Sequence, residues 1–368
     1  MAPNILITGA AGYIGGSVLA DLLSSSSNLI QEAKLNAVVR SKEQAQSISE
    51  LGVNVIQLNL NDDSALREVV LQHEIDIVIH TASSMVPQYA SSLIQALGER
   101  RRVSGNDVYF FHVSALNSLA IFVCLANARE TSVTTMFSKE GGWPYGEVRD
   151  SDPILAKQKE IEEPNPVRQT DIIVAEESKV HDVKSVNVVA PYVYGRGTGQ
   201  WRKLSVNIPG FIRTSIAHKT VYKFDTEGRP PAAHISDLVA LYVLLLEKCL
   251  RKEPIPTGDR GYYFAMAHRA PWWEVMQRLA KGLYARGLVS EPDVHTWPSD
   301  KMAAEYLQLP LLYIRPMGTS SGDLVPINAY RLGWEPKWTM ERFLDSMDDE
   351  IQAVLDLDKG QTSIFGVL

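Results

Sequence analysis

The chain has 368 residues, 45% hydrophobic and 21% charged, enough to bury a full core and outside the disordered, collagenous and low-complexity classes. Its formal charge of −7 is spread without long like-charge blocks, which argues against nucleic acid or an anionic membrane as partner and favours a small molecule. Cys124 and Cys249 are too few for a disulfide framework, so a reducing, cytoplasmic setting is expected.

The N-terminus runs straight into Ile5-Leu6-Ile7, which leaves no room for a secretory leader. From there short, nearly continuous apolar runs alternate with helical patterns, as parallel βαβ units do. In chain order the spacing predicts a strand at Ile5 to Thr8, a helix at Ile14 to Leu23, a strand at Asn36 to Val39 and a helix at Lys42 to Leu51. A strand at Asn54 to Leu58, a helix at Ser64 to Gln72, a strand at Ile75 to His80 and a helix from about Ser91 to Arg102 follow. Strands at Val108 to Val113 and Ser185 to Ala190 complete the series, with a helix at Val167 to Lys179 before the last. Right-handed crossovers then give an α/β class, a Rossmann-like doubly wound parallel sheet, assigned to residues 1–195.

After Gly195 the pattern changes to isolated helices joined by Pro- and Gly-rich connectors, read as a smaller substrate lobe over 196–368 with some elements returning to the sheet. Its helices are expected at Asp237 to Lys252, Trp272 to Arg286 and Met340 to Leu357. The apolar tracts Leu238 to Leu246 and Ala115 to Ala126 are shorter than the ~20 residues of a membrane-spanning helix.

The sharpest motif is Thr8-Gly9-Ala10-Ala11-Gly12-Tyr13-Ile14-Gly15-Gly16, between the first strand and the first helix. Gly9 permits a tight turn, Gly12 lets the backbone approach a pyrophosphate, and Gly15 allows close helix-to-strand packing; Tyr13 and Ile14 open the helix whose N-terminus favours the negative charge. The second strand ends in Val39-Arg40-Ser41-Lys42, where an acidic residue would accept from a ribose 2′-hydroxyl. The cations Arg40 and Lys42 suit a 2′-phosphate instead, so NADP(H) is preferred to NAD(H). The competing reading makes them solvated charges at a helix start.

Ligands lie beyond the carboxyl ends of parallel strands, which nominates Asn59 and Leu60 after the third strand and His80, Thr81 and Ala82 after the fourth. Pro191 and Val193 follow the sixth, near where nicotinamide would lie. His80 on its own reads better as a packing residue than as an acid or base. Trp201 and the pair Trp272-Trp273 could line a pocket, although aromatics in such a lobe are more often core. Arg100-Arg101-Arg102 reads as complementing a helix C-terminus rather than as a nucleic-acid patch. No His-Glu-x-x-His, Gly-x-Ser-x-Gly or Gly-Lys-Ser/Thr motif occurs, and no metal site is expected.

Together, Thr8 to Gly15, Val38 to Lys42, Val78 to Ala82, Pro191 to Gly195 and His234-Ile235-Ser236-Asp237-Leu238 resemble the extended short-chain dehydrogenase/reductase superfamily, in its epimerase/dehydratase, NmrA-like and dihydroflavonol-reductase-like branches. Gly261 to Phe264 and Arg331 to Pro336 look like substrate-lobe segments of the same group. The resemblance implies a Ser or Thr at the end of the fifth strand, matched by Ser114, and a Tyr-x-x-x-Lys pair one helical turn apart. None of the fourteen tyrosines has a Lys four residues on; Tyr145 with Arg149 and Tyr192 with Arg196 are the cationic near-matches. Tyr145 either replaces the missing acid or packs with Trp143 as a loop anchor. The tract from Ala115 to Glu140 is either an extra core helix or an insertion.

The leading expectation is an NADP(H)-dependent oxidoreductase acting on a carbonyl or alcohol of a small organic substrate, with Ser114 and Tyr145 as candidate catalytic residues, in a chain that could pair as a homodimer. The alternatives are a dinucleotide-binding sensor or non-redox isomerase or cyclase, and a sugar-nucleotide epimerase or dehydratase.

Overall fold

The computed structural model describes residues 2–115, 136–309 and 311–357. In the first half Asn4–Thr8 (β1), Tyr13–Leu23 (α1), Asn28–Gln31 (α2), Lys34–Val39 (β2), Lys42–Ser49 (α3) and Asn54–Gln57 (β3) are followed by Asp63–Gln72 (α4), Ile77–His80 (β4), Pro87–Ser104 (α5) and Tyr109–Ala115 (β5). Then come Val148–Arg149 (β6), Ile154–Glu160 (α6), Pro166–Val180 (α7), Lys184–Ala190 (β7), Tyr192–Tyr194 (β8), Asn207–His218 (α8), Val221–Lys223 (β9), Pro231–His234 (β10) and Ile235–Leu250 (α9). Tyr262–Phe264 (β11), His268–Arg269 (β12), Trp272–Ala285 (α10), Val294–Thr296 (β13), Asp300–Leu307 (α11), Leu311–Thr319 (α12), Leu324–Val325 (β14), Asn328–Arg331 (α13), Met340–Asp345 (α14) and Met347–Leu357 (α15) complete the described chain.

Seven strands form one parallel sheet in the order β11-β7-β5-β4-β1-β2-β3. Ile5, Leu6 and Ile7 are all fully buried because helices cover both faces. Ile5 and Ile7 meet α1 and α9 through Val18, Leu19, Leu241 and Leu245, while Leu6, Val78 and Phe110 meet α4, α5 and α7 through Leu66, Leu93 and Val174. Strand order reverses between β1 and β4, which opens a crevice at their carboxyl ends.

Two elements of the second half belong to the sheet. Tyr262–Phe264, read as a substrate-lobe segment, is instead the edge strand of the main sheet, parallel to β7; three residues are too few to show strand periodicity. Helix α9 lies in the layer with α1, so residues 235–250 cover the sheet rather than the second lobe. The second lobe's own core joins α8, α10, α14 and α15 through Phe211, Trp272, Met276, Phe343 and Ile351. Trp272 is therefore core, and the helix expected over Met340 to Leu357 breaks at Ser346. Arg100 pairs with Glu74 and Asp76, and Arg101 with Asp107 and Asp182. Of the apolar tract 115–126, all but Ala115 lies outside the described residues, Cys124 included, as does the run that follows it up to 135. Among the described residues no helix is long and apolar enough to cross a membrane.

The buried carboxylate of Asp150 ties the start of α13 to the edge strand of the sheet. Asp150 accepts from the backbone N–H groups of Ile327 (2.7 Å), Asn328 (2.9 Å) and Phe264 (3.1 Å), and Asn328 Nδ2 donates back to the Asp150 carbonyl at 3.0 Å. Each buried N–H left without an acceptor costs ~1–3 kcal/mol. Asp150→Ala strands three of them and should lower unfolding free energy by roughly 3 kcal/mol or more in a urea titration. A loss under about 1 kcal/mol would show that the junction is held by packing alone.

Candidate functional site

The crevice is a cleft of about 380 Å³ along the carboxyl ends of β1, β2, β3, β4 and β7. Gly9, at φ +76°, accepts a 2.8 Å hydrogen bond from Gly12 N and turns the chain into α1. Gly12 is the N-cap, with no side-chain cap and no acid in the first turn, so the positive end of the helix faces the cleft without a resident counter-charge. Gly9, Gly12, Tyr13 and Ile14 line the opening. Gly15 lies behind them: a Cβ there would stand 2.2 Å from Thr81 Oγ1 and 2.4 Å from the Gly9 carbonyl, so its bare backbone sets how closely helix and sheet meet.

Asn59, Leu60, Thr81, Ala82, Pro191 and Val193 all line the cleft, Thr81 being fixed by an Oγ1–H bond to the Thr8 carbonyl at 2.7 Å. Arg40 lines it at the end of β2, with its backbone held by Gln44 and Gln57. Lys42 does not join it. Ser41 and Gln44 form a capping box that starts α3 at Lys42, which is exposed on the first turn outside the cleft lining. The second cation of the cleft is Arg202, from the segment between β8 and α8. Sequence reading missed it because its partner is far away in the chain; the alternation Gly195-Arg196-Gly197-Thr198-Gly199 just before it was the available sign of a close backbone approach. Trp201 lines the same cleft.

His80 also falls outside the lining. Its Nδ1 shares a 2.7 Å hydrogen bond with Thr8 Oγ1, its ring stacks against both Phe110 and His112, and burial pushes it down to about 4, so it is a neutral packing residue.

Neither candidate catalytic residue reaches the cleft. Ser114 is fully buried and donates to Asp171 Oδ2 at 2.9 Å, an oxygen that also accepts from Gln158 Nε2 at 3.2 Å. Tyr262 O–H donates to Gln158 Oε1 at 2.8 Å, and His112 Nε2 lies 3.6 Å from Asp171 Oδ1. Burial pushes the Asp171 carboxyl up to about 7 and holds His112 well below the usual imidazole range, leaving two near-neutral groups side by side. Tyr145 is 38% exposed, packs edge-on against Trp143 and donates to Glu160 Oε2 at 2.7 Å. It is the loop anchor of the two readings, and its hydroxyl is committed on the surface.

A doubly wound sheet with a glycine-lined, uncapped helix end at its switch point defines a Rossmann-type fold, and residues 5–100 match the family model described as NAD dependent epimerase/dehydratase family. The described residues share the fold of solved sugar-nucleotide epimerases and dehydratases. It is similar to UDP-glucose 4-epimerase of Thermotoga maritima (TM-score 0.59, 16% identity, 96% of this chain and 99% of that one). A dTDP-glucose 4,6-dehydratase of Streptomyces venezuelae, solved with NAD bound, aligns at TM-score 0.62 and 15% identity over 96% of this chain and 97% of that one. In sequence the chain is 24% identical to Oxidase ucsJ of Acremonium sp over 307 residues, 80% of this chain and 83% of that protein.

The raised carboxyl has a consequence for stability. Asp171 titrates at about 7 when folded, against ~3.9 for an unfolded aspartate. The folded state binds the proton more tightly, so this contribution is present in full below about pH 4 and is lost as pH rises to about 7. Asp171→Asn keeps the shape of the neutral acid without the proton, so its melting temperature should fall less than the wild type's between about pH 4 and pH 7.5. Glu350, pushed up to about 7 by burial, titrates in both proteins and cancels in the difference. Parallel melting curves would show that Asp171 does not titrate in this range.

Proposed function

We propose that the chain binds NADP(H) in this cleft and uses it to reduce a carbonyl or oxidise an alcohol on a small organic substrate. The observation that carries the reading is the pairing of an uncapped helix N-terminus with Arg40 at the end of β2 in one cleft. The first suits the pyrophosphate and the second a 2′-phosphate. Gly9, Gly12, Tyr13 and Ile14 would hold the phosphates, Asn59 and Leu60 the adenine, and Thr81, Ala82, Pro191 and Val193 the nicotinamide half. Bound there, the cofactor would give a hydride to a carbonyl carbon or, oxidised, accept one from an alcohol carbon; the chain would orient it and exclude water. The match to a curated oxidase over most of both chains supports a redox role.

A second reading is favoured by the sealed position of Ser114. Its hydroxyl is given to Asp171 inside the protein, where the superfamily resemblance implies a group facing substrate. The chain would then bind NADP(H) without turning it over, as a sensor or as a non-redox isomerase or cyclase. Incubating the purified protein with NADPH and a panel of ketones, aldehydes and sugar nucleotides separates the two: consumption at 340 nm supports the oxidoreductase, and tight binding with no consumption supports the second reading.

Arg40→Asp should move preference from NADPH towards NADH by about tenfold or more, because a carboxylate repels the 2′-phosphate and accepts from a 2′-hydroxyl. An unchanged ratio of the two dissociation constants would remove Arg40 from the assignment.

A further inference from the structure

The segment 195–206 carries no regular structure, yet it is fixed at several points. Gly195 N donates to Glu350 Oε1 at 2.6 Å and the Gly195 carbonyl accepts from Tyr13 O–H at 2.7 Å. Thr198 N donates to Ser17 Oγ at 3.2 Å, and Gly197 N to the Lys203 carbonyl at 2.8 Å. Gly199 rests on α1 backbone to backbone, since a Cβ on it would stand 2.8 Å from the Gly16 carbonyl carbon. Gln200 Nε2 reaches Glu50 at the end of α3 at 3.4 Å. The segment is thus a strap running from α1 towards α3, and it brings Trp201 and Arg202 into the lining that holds Arg40.

Two cations in one cleft need an explanation. Arg202 is only partly exposed, and among the described residues neither its guanidinium nor that of Arg40 forms an ion pair. Elsewhere the same chain pairs its arginines: Arg315 with Asp300 and Asp225, Arg286 with Asp348, Arg100 with Asp76. Desolvation, and then repulsion from Arg40, lower the Arg202 pKa, so both act against the charge that Arg202 carries. Holding two guanidinium groups together without a carboxylate is unfavourable unless an anion lies between them.

We propose that Arg202 is the second arm of a two-arginine clamp which, with Arg40, grips the 2′-phosphate of NADP(H). This rests on the cofactor reading above and adds to it: discrimination is shared between the end of β2 and a strap from beyond the sheet's sixth strand in sequence, and the cation next to Arg40 in sequence, Lys42, has no part in it. The fork geometry of guanidinium suits two-point contact with phosphate oxygens from opposite sides. Trp201 beside it offers an aromatic face to the adenosine half.

The test is binding to the full-length protein by calorimetry, with NADPH, NADH and 2′,5′-ADP as probes and Arg202→Ala, Arg202→Gln and Arg40→Ala as variants. Loss of the arm should weaken NADPH and 2′,5′-ADP by about tenfold or more while leaving NADH within about threefold, and should reduce the salt dependence of NADPH binding. Unchanged NADH affinity is also the control that the strap still folds. Equal weakening of NADPH and NADH would place Arg202 on the pyrophosphate and overturn the clamp. So would an NADPH affinity unchanged in both Arg202 variants while Arg40→Ala lowers it. A wild-type protein that binds NADH as tightly as NADPH would overturn the cofactor reading itself, a result distinct from either.

Discussion

The first two turns of α1 are held between two backbones, and the rest of the site depends on that contact. On one side Gly15 lies against Thr81 and the Gly9 carbonyl; on the other Gly16 lies against Gly199 of the strap. Any side chain at these points would push the helix off the sheet or the strap off the helix. With them bare, the positive end of α1 is placed at the strand-order reversal, and the strap is placed above it. The same turn carries Tyr13 and Ser17, whose hydroxyls bond the strap at Gly195 and Thr198. Glu350 of α15 bonds Gly195 from the far side. Cleft, strap and the first turn of α15 are therefore one mechanical unit, although they are drawn from residues more than three hundred positions apart in the chain.

Burial has also changed the character of the position where the superfamily resemblance implies proton transfer. Helix α7 turns Val167, Arg168 and Asp171 inward, all nearly inaccessible. The Arg168 guanidinium donates to the carbonyls of Glu163, Gly141 and Gly142, which fixes the loop leading to Trp143. Asp171, protonated near neutrality, ties Ser114 to Gln158 and through it to Tyr262 on the edge strand. These contacts close the end of β5 rather than opening it to a substrate. A buried network of this kind is favourable only while its members stay neutral or bonded, and here the carboxyl meets that condition by its raised pKa.

What could be read in advance follows the range of the interactions concerned. The glycine turn, the doubly covered strands and the cation at Arg40 are local patterns: each is set by residues a few positions apart, and each stands where it was expected. Lys42 misled because sequence proximity to Arg40 says nothing about direction, and the Ser41–Gln44 capping box points the helix start elsewhere. Tyr145 attracted attention by residue type alone; its hydroxyl is satisfied by Glu160, which a linear pattern does not reveal. Tyr262–Phe264 joins the sheet because Asp150 and Asn328 hold its backbone, one from each side of it in sequence. Arg202 depends wholly on where the strap crosses α1.

That last dependence bears on how the proposed cofactor choice would be built. In a sheet that selects its dinucleotide only at the end of β2, preference is a property of one loop and can change with one substitution. Here the cationic lining is assembled from β2 and from a strap fixed by α1 and α15. Charge at Arg202 is held at a cost, since it is desolvated and faces Arg40. An anion that relieves this repulsion also gains two donors already in place, with little ordering left to be done on binding. The repulsion between Arg202 and Arg40 and the affinity proposed for a phosphate held by both would thus be the same interaction, and the placing of Arg202 rests on the bare contact between Gly16 and Gly199.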